Sequence, residues 1–156
     1  MRSRIEVLHG VNLDMLGKRP NEIYGSFSLS ELEYKIESFA DELSLEVSCF
    51  QTNSEGEFVE RLHRARELAD GLILNPGAWT HYSWAIHDAL EIAAMPAVEV
   101  HISDLTARED WRQQSVIRDQ CILTVAGEGV EGYRTALSAL RGELVKNAEQ
   151  AVDGDE

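Results

Sequence analysis

Gly71-Leu-Ile-Leu-Asn75, followed at once by Pro76-Gly77, is the stretch from which the fold can be read. Its apolar residues are consecutive. A strand wet on one face alternates apolar and polar side chains, whereas an uninterrupted apolar run of this length belongs to a strand covered on both faces, the kind found inside parallel sheets. Pro76 lacks an N–H and Gly77 relaxes the backbone, so the run stops there in a tight turn. Parallel neighbours need crossover connections, so helices are expected on either side in sequence.

Working outward, both flanks supply them. Toward the N-terminus, Leu45 to Phe50 reads as a strand and Arg4-Ile-Glu-Val-Leu-His9 alternates like one. Between these two, Ser28-Leu-Ser-Glu31 is a capping box opening a helix with Leu29, Leu32, Ile36, Phe39, Ala40 and Leu43 at spacings of three and four. A second capping box, Ser54-Glu-Gly-Glu57, opens a helix with Phe58, Leu62, Ala65 and Leu68 on one face. Toward the C-terminus a helix is predicted from about Thr80 to Ala94, and Pro96 marks the turn into the strand Ala97-Val-Glu-Val-His101. A polar stretch with a short helix spans Leu105 to Val116, Cys121 to Ala126 reads as the fifth strand, and a last helix carries Tyr133, Ala136, Leu137 and Leu140. Five strands separated by helices predict an α/β, doubly wound, five-stranded parallel sheet in three α/β/α layers, with right-handed crossovers. Residues 1–146 read as a single domain; residues 147–156 form an acidic tail expected to be disordered.

The chain of 156 residues is long enough for a real core, and 44% hydrophobic with 27% charged residues is ordinary for a globular protein. Against 14 Lys and Arg stand 28 Asp and Glu, a formal charge of -14. That balance argues against nucleic acid or an anionic membrane surface as partner. An anionic substrate therefore has to be drawn in by a local cationic pocket. The first residues do not read as a charged and then apolar leader, so no signal peptide is expected, and no apolar run approaches the ~18 residues that span a bilayer. Cys49 and Cys121 both fall in predicted buried strands and read as two free thiols in a reducing cytosol.

In open parallel sheets ligands bind beyond the carboxyl ends of the strands. Topology alone thus selects His9 to Tyr24, Gln51 to Ser54, Asn75 to His81, His101 to Arg112, and Gly127 to Gly129. The first of these opens Gly10-Val-Asn-Leu-Asp-Met-Leu-Gly-Lys-Arg-Pro-Asn-Glu-Ile-Tyr-Gly25, a connection expected to lack regular structure and too long to be idle. It holds Asn12, Arg19 and Tyr24. A free phenol has a pKa of about 10, and one or two guanidiniums within about 4–6 Å favour its ionised form. The same residues equally suit a turn with a solvated arginine. In Asn75-Pro-Gly-Ala-Trp-Thr-His81, Asn75 ends a strand, Thr80 can cap the next helix, and His81 then falls in its first turn, near a dipole end that suits an anion. An ordinary strand-turn-helix joint explains these residues as well. In Glu99-Val-His101-Ile-Ser-Asp104, residues 99 and 101 point to one face, so the carboxylate can orient the imidazole and raise its pKa, giving a general acid. A carboxylate in a central strand is otherwise costly to bury, which favours this reading. Arg108 and Arg112 share a face if their segment is helical, either gathering positive charge or pairing with Glu109 and Asp110 at the surface. The histidines do not fall into metal-binding spacings, and neither a P-loop, a GxGxxG after the first strand, nor a Gly-x-Ser-x-Gly elbow occurs.

With these residues in hand, the chain resembles the type II 3-dehydroquinate dehydratases. The resemblance lies in NL-x-x-LG-x-R-x-x-x-IYG at Asn12 to Gly25, ILNPGAWTHYS at Ile73 to Ser83, VEVHIS at Val98 to Ser103, ARE-x-x-R at Ala107 to Arg112, and G-x-GVEGY at Gly127 to Tyr133. Each is weak alone; five in order across residues 4 to about 143 are specific. The resemblance implies a flavodoxin-like fold, a homo-oligomer that is usually a dodecamer built as a tetramer of trimers, a cytoplasmic setting, and no metal or cofactor. It implies anti elimination of water from 3-dehydroquinate to 3-dehydroshikimate through an enolate, a step used in aromatic biosynthesis and in quinate breakdown. Tyr24 is then the base, with Arg19 and Arg108 stabilising its phenolate. Asn12 helps hold the water that stabilises the enolate, and His101, oriented by Glu99, protonates the departing hydroxyl. Asn75, His81, Ile102, Ser103 and Arg112 grip the carboxylate and ring hydroxyls, and Asp88 matches an acid that reaches a neighbouring subunit's site.

Departures from the family pattern include His9 and Val11 for Asn and Pro, Asp14 for Asn, Trp79 for Tyr, His87 for Arg, and Asp104 for Asn. His87 and Asp88 bear on subunit contacts, and Asp104 is expected to place an acid near the anion pocket. They leave two alternatives: a related lyase with a drifted substrate, or a non-catalytic binding module on the same fold. A phospho-acceptor receiver needs acids where His9 and Asn75 stand, which opposes that version of the second.

Overall fold

The computed structural model describes residues 2–154. Five parallel strands, β1 (Arg4–His9), β2 (Glu46–Gln51), β3 (Gly71–Asn75), β4 (Ala97–His101) and β5 (Leu123–Ala126), lie in the order β2-β1-β3-β4-β5. All five residues of β3 are buried, as its sequence demanded. Ile73 packs with Ile5, Val7, Val98 and Val100 beneath α2 (Leu29–Glu42) and α6 (Glu131–Gly154). Leu72 and Leu74 face the other way, against Phe58 and Leu62 of α3 (Glu55–His63) and Ile86 and Leu90 of α5 (Trp84–Ala93). The three-layer, flavodoxin-like arrangement follows from this two-sided burial.

Both capping boxes form: Ser28 Oγ accepts from Glu31 N and Ser54 Oγ from Glu57 N. The strand order reverses between β1 and β3, and there the two strand ends press together. A side chain at Gly10 would overlap the Pro76 carbonyl, so glycine alone lets Gly10 N donate to Asn75 O at 2.8 Å.

Several local expectations are revised. The connection after β1 is not structureless: it contains a 3-10 turn, Leu13–Met15, and a single helical turn, α1 (Asn21–Tyr24), because Leu13 and Leu16 are buried in the core and pin it down. The helix expected from Thr80 starts instead after Ser83, whose Oγ accepts from Ile86 N; residues Gly77–His81 form a 3-10 turn, and the Thr80 hydroxyl is committed elsewhere. The helix after Ser54 breaks at Arg64, leaving Ala65–Leu68 as α4. Two 3-10 turns, Leu105–Ala107 and Asp110–Gln113, replace the short helix expected between Leu105 and Val116. Cys121 lies in the turn before β5 rather than in it. Both cysteines are free, and burial pushes each thiol up to about 12. The tail expected to be disordered continues α6 to Gly154, its Ala148-Glu-Gln-Ala151 run being helix-forming and free of proline; positions 155 and 156 lie outside the described residues.

Candidate active site

Beyond the carboxyl ends of β1, β3 and β4 lies a pocket lined by residues from three of the segments singled out by topology. One wall is a phenol between two cations. Tyr24 ends α1, and its hydroxyl oxygen receives Arg19 Nη2 at 2.8 Å and Arg108 Nη2 at 2.9 Å. The Arg19 guanidinium also lies over the Tyr24 ring, 3.8 Å from its centroid. Arg108 is held in turn by Ser103, whose Oγ accepts from Nη1 at 3.3 Å. A guanidinium only donates, so the phenol oxygen stands as an acceptor to both.

The other wall is an imidazole backed by a carboxylate. Glu99 is fully buried in β4 and points to the same side as His101. Its Oε2 meets His101 Nε2 at 2.5 Å and accepts from Thr80 Oγ1 at 2.5 Å, while Oε1 accepts from Ser115 Oγ at 2.7 Å. Burial alone pushes the Glu99 carboxyl up. The hydrogen bond and charge of His101, with the Thr80 and Ser115 hydroxyls, outweigh it, so the carboxyl is held below its ordinary value. With Nε2 fixed on Glu99, the remaining His101 nitrogen, Nδ1, is left for the pocket.

His81 stacks at 6.3 Å from His101, the rings 18° apart. Its Nδ1 lies 2.6 Å from Gln114 O; a carbonyl only accepts, so Nδ1 carries the hydrogen and Nε2 is the acceptor. Burial, helped by the nearby His101 and Arg112 charges, holds this imidazole below its ordinary value, hence neutral. Asn75 Oδ1 accepts from Gly77 N at 3.1 Å, and its Nδ2 donates to the Tyr133 hydroxyl at 3.5 Å. Arg112 brings a third cation to the rim, its Nε donating to Glu109 at 2.6 Å. The arrangement offers a phenol and an imidazole lining the same pocket, with cations to hold an anion.

The model of the class II dehydroquinase family matches residues 3–141. The chain belongs to that family. A 3-dehydroquinate dehydratase of Pelotomaculum thermopropionicum is 49% identical over 136 residues, covering 87% of this chain and 94% of the relative. One from Carboxydothermus hydrogenoformans is 45% identical over 151 residues, covering 97% and 98%. The solved type II dehydroquinase from Propionibacterium acnes superposes with a TM-score of 0.85 at 40% identity, covering 91% of this chain and 98% of that one.

Within this class II dehydroquinase, Asn12, Arg19, Tyr24, Asn75, His81, His101, Ile102, Ser103, Arg108 and Arg112 all line the one pocket. Glu99 stands behind His101. Asp88 does not reach it: it sits on α5 with an exposed carboxylate beside His87 Nδ1 at 3.1 Å. Asp104, expected to crowd the anion pocket, is instead turned onto Thr106, accepting from its N at 3.1 Å and its Oγ1 at 2.6 Å as the cap of the Leu105 turn. Asp14 is likewise engaged, accepting from Asn53 Nδ2 at 3.1 Å. Three functional contributors escaped the sequence reading. Ser115 and Thr124, which supply hydroxyls near Glu99, carry no local signal at all. Thr80 was visible but was read as a helix cap. Apolar Val11, Leu13, Leu16 and Leu105 also line the pocket.

Proposed function

We propose that this chain is a hydro-lyase, a 3-dehydroquinate dehydratase, removing water from 3-dehydroquinate to give 3-dehydroshikimate. The observation that carries the residue assignments is the pair of guanidiniums on one tyrosine oxygen, opposite an imidazole seated on a buried carboxylate. Tyr24, as phenolate, takes the proton alpha to the ketone. Arg19 and Arg108 stabilise that phenolate, more strongly in a closed site than in water. The electrons move into the carbonyl to form an enolate, whose oxygen needs a positioned donor; Asn12 holds a water for it. Collapse of the enolate forms the new double bond and expels the beta hydroxyl. Hydroxide is a poor leaving group, and His101 gives it a proton so that it departs as water. The proton on Tyr24 returns to His101 through solvent, which balances the cycle.

His81, held neutral with Nε2 as acceptor, suits a ring hydroxyl. Arg112, the Asn75 amide and the backbone at Ile102 and Ser103 suit the carboxylate and remaining hydroxyls. This distribution answers how so acidic a chain admits an anionic substrate: three arginines are gathered at one opening. The loop bearing Arg19 acts as the lid. We place the enzyme in the cytoplasm, in keeping with its two free thiols. We further assign it a homo-oligomer, a dodecamer built as a tetramer of trimers, in which Asp88 serves a neighbouring copy. The outward position of that carboxylate and the exposed Tyr82, Trp84 and Ile92 around it support this.

The direct test follows enone absorbance on adding 3-dehydroquinate, with substrate labelled at the carbon beside the ketone. Loss of the label anti to the hydroxyl is expected. Folded protein without turnover, or syn loss, refutes the proposal.

A further inference from the structure

On the face of the sheet covered by α2 and α6 stands a cluster that does not line the pocket and that the reaction does not use. His9 closes β1 on the same side as Ile5 and Val7, with Cys49 of β2 and Glu33 of α2 beside it. The imidazole is fully buried, and neither ring nitrogen has a hydrogen-bond partner among the described residues. A neutral imidazole carries one donor and one acceptor, and leaving both unmet in the interior is costly. His9 Nε2 nevertheless stands 3.3 Å from Glu33 Oε1, and the nitrogen, carboxylate and thiol atoms of the three residues lie within 4.8 Å of one another.

We propose that His9, Glu33 and Cys49 bind one divalent cation of the zinc type, which cross-links β1, β2 and α2. Bond lengths of about 2.0–2.3 Å in a tetrahedral site put neighbouring ligand atoms roughly 3.3–3.7 Å apart. The His9–Glu33 separation already matches, and the thiol needs to move by about 1.5 Å at most. A nitrogen, sulfur and oxygen donor set suits zinc or cobalt and not magnesium or calcium. Three protein ligands leave a fourth position for water. The half-exposed Glu33 gives the ion a way in from solvent. Cys49 also sits in the negative field of Glu33, Glu37 and Glu6, which a cation offsets. Binding replaces the thiol proton, which leaves to solvent. The ion does no chemistry on the substrate. It pins the residue immediately before Gly10, the root of the loop that carries Asn12, Arg19 and Tyr24.

The test uses full-length protein stripped with chelator and titrated with Co2+, then Zn2+. One Co2+ per chain is expected, with a thiolate-to-cobalt charge-transfer band that Zn2+ abolishes by displacement, and a melting temperature that rises with Zn2+. Cys49→Ser and His9→Asn each weaken binding by at least about a hundredfold and erase the band. Glu33→Gln, at a position where the helix face meets solvent, weakens it by at least about tenfold without loss of fold. His87→Asn, which disrupts the exposed cluster with Asp88 and Asp119, changes neither affinity nor band. Binding without a charge-transfer band, equal affinity in the wild type and Cys49→Ser, or loss of binding in His87→Asn overturns the site. Because each readout is binding or melting, the result stands apart from whether the protein turns over 3-dehydroquinate.

Discussion

Replacing Thr80 with valine isolates the device on which the acid half of the site depends. The exchange keeps the shape of a fully buried side chain and removes one hydroxyl, the donor to Glu99 Oε2 at 2.5 Å. A hydrogen bond to a charged group contributes about 1.5–3 kcal/mol, and with both partners buried solvent screening takes little from that. Thr80→Val is therefore expected to lower unfolding stability at pH 7 by about 1.5–3 kcal/mol. The sign of its pH dependence follows from Glu99. Its folded-state pKa is depressed, so its contribution is present above the unfolded carboxylate value and is lost as pH falls through the folded one. The variant lacks part of that contribution, so the gap between variant and wild type shrinks on acidification, toward what one bond to a neutral carboxyl is worth, about 0.5–1.5 kcal/mol. Urea unfolding at pH 7 and at successively lower pH measures this. The same loss frees Glu99 to shift and loosens its grip on His101, so kcat falls roughly tenfold, equivalent to about 1.4 kcal/mol of transition-state stabilisation. A gap that stays constant with pH, or that is under about 0.5 kcal/mol at pH 7, refutes the account of a carboxylate kept ionised by its donors.

Tyr24→Phe removes the oxygen on which both guanidiniums converge; kcat is expected to fall by roughly three orders of magnitude with substrate dissociation nearly unchanged, as single-turnover kinetics and calorimetry will show. Near-normal turnover reassigns the base. Arg19→Ala is expected to slow the reaction more than it weakens binding, and an effect confined to KM marks Arg19 as a substrate clamp only. Leu62→Ala, far from the pocket in the α3–α5 layer, is expected to cost about 2–5 kcal/mol of stability while kcat of the folded fraction stays within twofold.

The local signals were read correctly where a few neighbouring residues settle the matter. The apolar run at 71–75 is buried on both faces, and Ser28 and Ser54 cap their helices as their capping boxes indicate. The rule that ligands sit past strand ends selects the three separate segments that bring ten of the candidate residues to the pocket. It succeeded because strand direction is common to the whole sheet, so every strand end falls on one edge. The misreadings have a common origin. Thr80 has the look of a cap and Asp104 of an intruder in the anion pocket. In both, a side chain can satisfy either a near neighbour or a distant one, and the sequence does not rank the choices.

What the sequence by itself determined is therefore the layered sheet, the direction of its strands and the set of groups delivered to one edge, since periodicity and capping act over a few residues. Only the tertiary structure decided how those groups are held: Arg108 meeting Tyr24 across 84 positions, Ser115 meeting Glu99 across 16, and His9 left without a hydrogen bond beneath α2. Such contacts depend on chain segments brought together by burying the core, and side-chain chemistry in the sequence carries no record of which distant partner that burial will bring.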